Sequence, residues 1–165
     1  MTAPAALSFD ATTFRRTLGM FATGIAIVTA RNGRGEPIGL TINSFNSVSL
    51  TPPLVVWSLA NSSTLREDLE ACEYYAINIL AADQEDLSNR FASRNGDRFA
   101  GLRWEEGLGG APLLEGCCAV FEVRNSQRLP GGDHIVFLSE VIRCDRSEQA
   151  PLVFFNGQYR QLAAG

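Results

Sequence analysis

The sequence predicts a mainly β chain folded as a β-barrel with short peripheral helices. Three observations carry that prediction. Apolar runs rich in β-branched and aromatic residues recur along the chain, separated by clusters of Gly, Pro, Asn and Asp. Strand-like segments outnumber helical ones, and the helical ones are short. Strands and helices do not alternate strictly, which argues against a doubly wound parallel sheet.

In chain order, Asp10 is placed to cap a short helix whose Phe14, Leu18 and Phe21 recur at i, i+4 and i+7, a stripe suited to lie on a sheet. Arg15 and Arg16 face elsewhere. Ile25, Ala26, Ile27 and Val28 form a β run that ends at the turn cluster Asn32-Gly33-Arg34-Gly35. Ile38 restarts an extended segment, so the pair reads as a hairpin. Pro52-Pro53 closes the second strand, because neither proline can donate to a ladder, and Leu54 to Leu59 supplies a third. Asn61-Ser62-Ser63-Thr64 precedes a helix around Leu65 to Ala71, whose Glu67, Asp68 and Glu70 suit a solvated face. Tyr74 to Leu80 is the next strand, and Asp83 opens a helix carrying Leu87, Arg90 and Phe91. Residues 93–116 read as a loop-rich excursion over a functional face. Cys117 to Leu129 and His134 to Cys144 are two long strands joined by Pro130-Gly131-Gly132-Asp133. Leu152 to Phe155 is a terminal strand before Asn156-Gly157 and the closing Gln158 to Leu162. Neither an internal repeat nor a linker interrupts the chain.

The chain has 165 residues and 17.9 kDa, which suits one domain over 1–165, with 1–9 as a flexible N-terminus. Hydrophobic residues at 45%, charged residues at 19% and a mean hydropathy of +0.01 place it among globular chains rather than disordered ones. A net charge of -4 with no block of like charge argues against nucleic acid as a partner. All 14 cations are arginines. Without lysine, neither a Walker-type phosphate loop nor Schiff-base chemistry can operate. His134 is the only histidine, and Cys72, Cys117, Cys118 and Cys144 contain no C-x-x-C pair, so no metal site is expected. The cysteines read as small buried hydrophobes of a reducing compartment. Met1 to Phe9 lacks the features of a signal peptide, and no apolar run approaches the ~20 residues that span a bilayer, so the expected location is the cytoplasm, away from membranes.

Three segments hold polar residues that a plain barrel does not need. Thr41-Ile42-Asn43-Ser44-Phe45-Asn46-Ser47-Val48-Ser49 could ring a flat polar heterocycle with donors and acceptors; composition alone favours an ordinary Ser/Thr-rich strand with one face in water. Asn61-Ser62-Ser63-Thr64 could hold a phosphate through hydroxyls and main-chain N–H groups without any lysine, but a helix cap looks the same, and by itself the cluster favours the cap. Gly131-Gly132-Asp133-His134 is a turn with the only imidazole at its mouth. His134 shares a strand face with Val136, Leu138 and Glu140, and a rim residue bonded to its neighbours explains it equally.

Taken in order, these pieces resemble the flavin reductase family, the small reductase components of two-component flavin-dependent monooxygenases. The resemblance spans nearly the whole chain. It rests on Phe21-Ala22-Thr23-Gly24-Ile25-Ala26-Ile27-Val28-Thr29, Gly39-Leu40-Thr41-Ile42-Asn43-Ser44-Phe45 with Ser47-Val48-Ser49, Pro52-Pro53-Leu54, and the Asn61 to Thr64 cluster. Gly132-Asp133-His134 and Pro151-Leu152-Val153-Phe154-Phe155 with Tyr159-Arg160 complete it.

The resemblance implies a split β-barrel of the flavin-binding, Greek-key-like type, a homodimer that uses NADH or NADPH to reduce FAD or FMN and passes it to a partner oxygenase. It implies that Thr41, Ile42, Asn43, Ser44, Phe45, Ser47, Val48 and Ser49 line the isoalloxazine and that Asn61, Ser62, Ser63 and Thr64 hold the flavin phosphate. Gly132, Asp133 and His134 would meet the nicotinamide, with His134 in the catalytic position, and Phe99 would lie near the flavin. Family members often use a lysine at the phosphate; here Arg98 or main-chain amides take its place. Arg94, Arg98, Arg103 and Arg128 are all loop candidates for a nicotinamide 2′-phosphate. Hydride transfer between stacked rings requires neither a metal nor a protein nucleophile. A flavin-binding protein without turnover, and a reductase or oxidase acting on another acceptor, remain the alternatives.

Overall fold

A run of apolar residues without alternation must be covered on both faces. The computed structural model, which describes residues 7–163, shows why Ile25 to Val28 read that way. Ala26, Val28 and Ala30 face one core, and Ile25 and Ile27 face a second.

The elements are α1 (Ala11–Leu18), β1 (Thr23–Gly24), β2 (Ala26–Arg31), β3 (Pro37–Ile42), β4 (Asn46–Leu50), β5 (Pro53–Ala60), α2 (Arg66–Ala71) and β6 (Tyr74–Ile79). They continue as α3 (Glu85–Ala92), β7 (Trp104–Glu106), β8 (Pro112–Leu114), β9 (Ala119–Gly131), β10 (His134–Arg146), β11 (Val153–Phe155) and β12 (Gln158–Arg160). The chain is mainly β, as predicted. Seven strands form one antiparallel sheet in the order β3-β2-β6-β9-β10-β5-β4. A three-stranded sheet, β1-β11-β12, and the β7-β8 hairpin lie outside it.

Aromatic residues curl the main sheet. In β5 and β10 burial alternates, so Val55, Trp57 and Leu59, with Ile135, Phe137 and Ser139, point inward. Trp57 and Phe137 are register partners whose rings stack at 4.5 Å. Tyr75 on β6 lies three strands from β5, about 14 Å along a flat sheet. Its hydroxyl nevertheless accepts the Trp57 Nε1–H bond at 2.8 Å and shares a second hydrogen bond with Ser139 Oγ. Only a strongly curved sheet brings those groups together.

The curl does not end in a closed ladder among the described residues. β3 and β4 are the free edges, so hydrogen bonding does not close the predicted barrel there. The single extended segment predicted from Ile38 to the prolines is two strands, because the chain leaves the ladder at Asn43–Phe45. Ser44 sits exposed at that break. Its Oγ accepts the Ser58 N–H at 3.0 Å and donates to the Ser58 carbonyl at 3.2 Å, bridging the seam with one side chain where a ladder would use backbone.

Other expectations need correction. Asp10 does cap α1, accepting the Thr13 N–H at 2.7 Å. The stripe on α1, however, lies on no sheet: Phe14, Leu18 and Phe21 are 51%, 57% and 71% exposed. Of the N-terminal segment 1–9 expected to be flexible, residues 1–6 fall outside those described, and the Phe9 ring packs on Phe14. The helix expected to open at Asp83 starts at Glu85. The loop-rich stretch contains the β7-β8 hairpin, which buried Asn78 anchors by accepting the Leu114 N–H at 2.8 Å. All four cysteines are free; Cys118 is buried and Cys72 and Cys117 half-buried, but Cys144 is exposed. Burial pushes the Cys117 thiol up to about 12, out of the nucleophilic range. Among the described residues no helix is long and apolar enough to cross a membrane.

Two outcomes follow from this core. Tyr75→Phe leaves the Trp57 N–H and Ser139 hydroxyl short of a partner inside the protein and should cost about 1–3 kcal/mol in urea unfolding at neutral pH; unchanged stability would refute the hydrogen-bond role. Burial raises the Tyr75 phenol from 10.0 to about 12, so the unfolded chain releases that proton first and stability falls as pH climbs through this window. The Phe variant should lose roughly 2–3 kcal/mol less than wild type over the same range. Ser44→Ala should cost about 1 kcal/mol and speed hydrogen exchange at the Ser58 amide. Exchange as slow as in wild type would show that Ser44 does not hold the seam.

Candidate functional site

A cleft of about 420 Å³ opens at the seam. Its walls come from the end of β3 (Thr41, Ile42, with Asn43 and Ser44 beyond it), the end of β5 (Ser58, Leu59, Ala60), the turn Ser62–Leu65, the end of α3 with Arg94 and Arg98, and His134. Of the residues predicted from sequence, it collects Thr41, Ile42, Asn43, Ser44, Ser62, Ser63, Thr64, Arg98 and His134. Phe45, Ser47, Val48, Ser49, Asn61, Phe99, Gly132 and Asp133 lie outside it.

The first polar segment divides at Ser44 for a backbone reason. Beyond it Phe45 turns into the curled sheet and packs on Phe121 at 5.3 Å, while β4 runs along the other free edge with Asn46, Ser47 and Val48 exposed. Two of the hydroxyls meant for a ligand serve the fold. Thr41 Oγ1 donates to the Ser88 carbonyl at 2.7 Å and moors α3 to β3, and Ser44 bridges to Ser58. Gly39 permits that mooring, because a Cβ there would sit 2.9 Å from the Phe91 ring and 2.9 Å from the Val28 carbonyl.

The second segment is not the cap that sequence favours. α2 begins at Arg66, its N-cap position is Leu65, and no side chain caps it. Ser63 Oγ accepts the Leu65 N–H at 3.3 Å. The hydroxyls and main-chain N–H groups of Ser62 and Thr64 have no partner among the described residues. Asn61 faces the β9-β10 turn instead: its N–H donates to the Asp133 carbonyl at 2.9 Å and its Nδ2 to the Gly132 carbonyl at 3.1 Å.

That bond pair fixes the third segment. The turn is shorter than predicted, with Gly132 and Asp133 alone between the strands and Gly132 at φ 72°. His134 opens β10 opposite Ala60 and shares its half-buried face with Val136, Leu138 and Glu140, as its spacing predicts. Asp133 Oδ1 lies 2.7 Å from His134 Nδ1, and this bond holds the Asp133 carboxyl below its usual range. With Nδ1 so engaged, Nε2 is the ring nitrogen left for a ligand.

Arg98 differs from its predicted role. Its Nε and Nη2 donate to the Ser93 carbonyl at 2.9 and 2.6 Å, and its Nη1 to the Gly39 carbonyl at 2.6 Å. It ties the loop after α3 to β3. Phe99 packs edge-on against Phe91 at 5.0 Å in the second core, behind the cleft wall. Ser58 and Ala60 were missed because the end of an apolar strand carries no polar pattern; only the seam exposes them. Arg103 and Arg128 lie outside the cleft, whereas Arg94 lines it.

Comparisons with known proteins identify the family. The family model described as flavin reductase like domain matches residues 18–163. The chain is 44% identical to FMN reductase (NADH) SmoA of Agrobacterium fabrum, over 88% of this chain and 83% of that protein. It is 38% identical, over 88% of its length, to the reductase component of flavin-dependent trigonelline monooxygenase of Acinetobacter baylyi, and spans 47% of that longer protein. The NADH:FAD oxidoreductase SgcE6 of Streptomyces globisporus C-1027, solved in complex with NAD and FAD fragments, superposes with a TM-score of 0.89 at 37% identity, covering 96% of this chain and 98% of that one. With the matched residues running from the end of α1 through β12, the chain belongs to the flavin reductase family.

Proposed function

We propose that this chain uses NADH or NADPH to reduce FAD or FMN by direct hydride transfer in the seam cleft, and that the reduced flavin passes to a flavin-dependent monooxygenase. The observation that carries this reading is the donor set of the cleft: hydroxyls and N–H groups of Ser62 and Thr64 without a partner among the described residues, in a cleft that His134 also lines. A phosphoryl group needs such donors, and the apolar Ile42, Leu59 and Ala60 suit a flat ring. The names of its relatives support the same chemistry, SmoA as an NADH-dependent FMN reductase and the Acinetobacter protein as a monooxygenase reductase component. A bound flavin supplies the hydride acceptor, and the protein's task is to stack the two rings and to stabilise charge that develops on the acceptor. Asn43 and the turn at Ser62–Thr64 orient one ligand, and His134 contacts the other.

We read the open seam as the split of a split β-barrel, with Ser44 bridging it. A homodimer covers the remaining apolar surface, a reading that exposed Phe14, Leu18, Met20 and Phe21 support. Free cysteines support the cytoplasm as its compartment.

Mixing the protein with NADH and excess FMN or FAD and following NADH absorbance tests the activity; absence of flavin-dependent NADH consumption with either nicotinamide would refute it. His134→Ala should raise KM for NADH and lower kcat/KM roughly ten- to a hundredfold, with flavin affinity near wild type. Unchanged kinetics in the folded variant would leave His134 a rim residue. Light scattering should report twice the chain mass at micromolar concentration, and a monomer there would rule out the dimer.

A further inference from the structure

Packing does not hold the His134 ring in place. Its side chain is 44% exposed, the Asp133 carboxylate that bonds its Nδ1 is 95% exposed, and residues 126–133 before it are exposed throughout. Beyond the β9-β10 ladder and the Asp133–His134 bond, the hydrogen bonds that reach this turn among the described residues come from one residue, Asn61, which stands 71 positions from Gly132. Its N–H donates to the Asp133 carbonyl at 2.9 Å and its Nδ2 to the Gly132 carbonyl at 3.1 Å. The amide cannot be turned the other way round. Arg66 Nη1 donates to Asn61 Oδ1 at 3.3 Å, and a guanidinium can meet only the oxygen, a carbonyl only the NH2. Arg66 is itself paired with Glu70 at 2.6 Å along α2. Asn61 does not line the cleft, and its side-chain oxygen and nitrogen are both engaged by protein, unlike the Ser62 and Thr64 hydroxyls beside it.

We propose that Asn61 is a positioning residue for His134: it pins both carbonyls of the Gly132-Asp133 turn and so aims the imidazole at the nicotinamide, instead of holding the flavin phosphate. This rests on the reading of His134 as the residue that contacts the nicotinamide. Asn61 follows Ala60, the register partner of His134, so the bond pair extends the β5-β10 pairing past its last ladder residue. It takes hold of a turn that would otherwise pivot on Gly132, at φ 72°. A ring carried on a pivoting turn samples many orientations, and a dinucleotide must then select the competent one. That weakens its apparent affinity without altering hydride transfer once it is bound.

Steady-state kinetics with NADH at saturating FMN, FMN binding by fluorescence quenching and urea unfolding test it in wild type, Asn61→Ala, Asn61→Asp, His134→Ala and the double variant Asn61→Ala/His134→Ala. Asn61→Asp keeps the size and the acceptor for Arg66 but loses the donor to Gly132, so it checks the bond without truncation. Asn61→Ala and Asn61→Asp should each raise KM for NADH about three- to tenfold, with kcat and FMN affinity within about twofold of wild type. In the His134→Ala background, Asn61→Ala should change kcat/KM for NADH by less than about twofold, because the group it positions is gone. The full penalty in both backgrounds, an unchanged KM for NADH in both Asn61 variants, or a loss confined to kcat and the urea midpoint would overturn the proposal. So would weakened FMN binding with NADH kinetics intact, which would return Asn61 to the phosphate. If His134→Ala alone leaves NADH kinetics unchanged, the reading of His134 fails and takes the proposal with it, a result visible before any Asn61 variant is measured.

Discussion

The contact between Trp57, Phe137 and Tyr75 is the constraint on which the rest of the structure depends. Stacking Trp57 on Phe137 sets the register of β5 against β10, and the Trp57–Tyr75 hydrogen bond pulls β6 across the interior toward β5. The geometry has a cost, because three polar atoms are buried in an apolar core. Those atoms, Trp57 Nε1, the Tyr75 hydroxyl and Ser139 Oγ, bond to one another, so the core stays satisfied as well as dense. Once the sheet is curled this tightly, the ends of β3 and β5 come to face one another across a cleft.

The cleft is a consequence of that curl. An open seam exposes main-chain groups that a ladder would pair, and the local sequence answers with short hydroxyl side chains. Some of these serve the fold: Thr41 moors α3, and Ser44 takes both main-chain groups of Ser58. Others, at Ser62 and Thr64, are left without a protein partner. Stability and binding are thus divided among neighbouring residues of the same type, and only the hydrogen-bond pattern tells them apart.

The same division appears among the charges. Arg98 is an arginine used as a clamp, its planar fork matched to two carbonyls on different segments, while Arg94 on the same loop remains uncommitted. The β9-β10 turn is held from two sides, by Asn61 on its carbonyls and by Asp133 on His134, so the lone imidazole is presented on a rigid hairpin rather than on a loose loop.

Much of the fold was legible in the sequence because it is written locally. The uninterrupted run Ile25 to Val28 announced a strand, the Pro130–Asp133 turn a hairpin, and the spacing of His134, Val136, Leu138 and Glu140 a shared strand face. The Asp10 cap is likewise a matter of three residues. The ordered motifs also pointed to the family, and to nine residues that do line the cleft. Errors fell where partners are distant in sequence. The Asn61–Thr64 cluster has the letters of a cap, but its orientation is decided by the β9-β10 turn about 70 residues away. The stripe on α1 promised a sheet that this chain does not put beneath it. Ser58 joined the cleft, and Ser47 to Ser49 left it, because the sheet opens at Asn43–Phe45. The sequence by itself determined the strands, their faces and the chemical types available. Which hydroxyl and which arginine remain free for a ligand was decided only by the tertiary structure, because that depends on which backbone groups the curled sheet leaves unpaired.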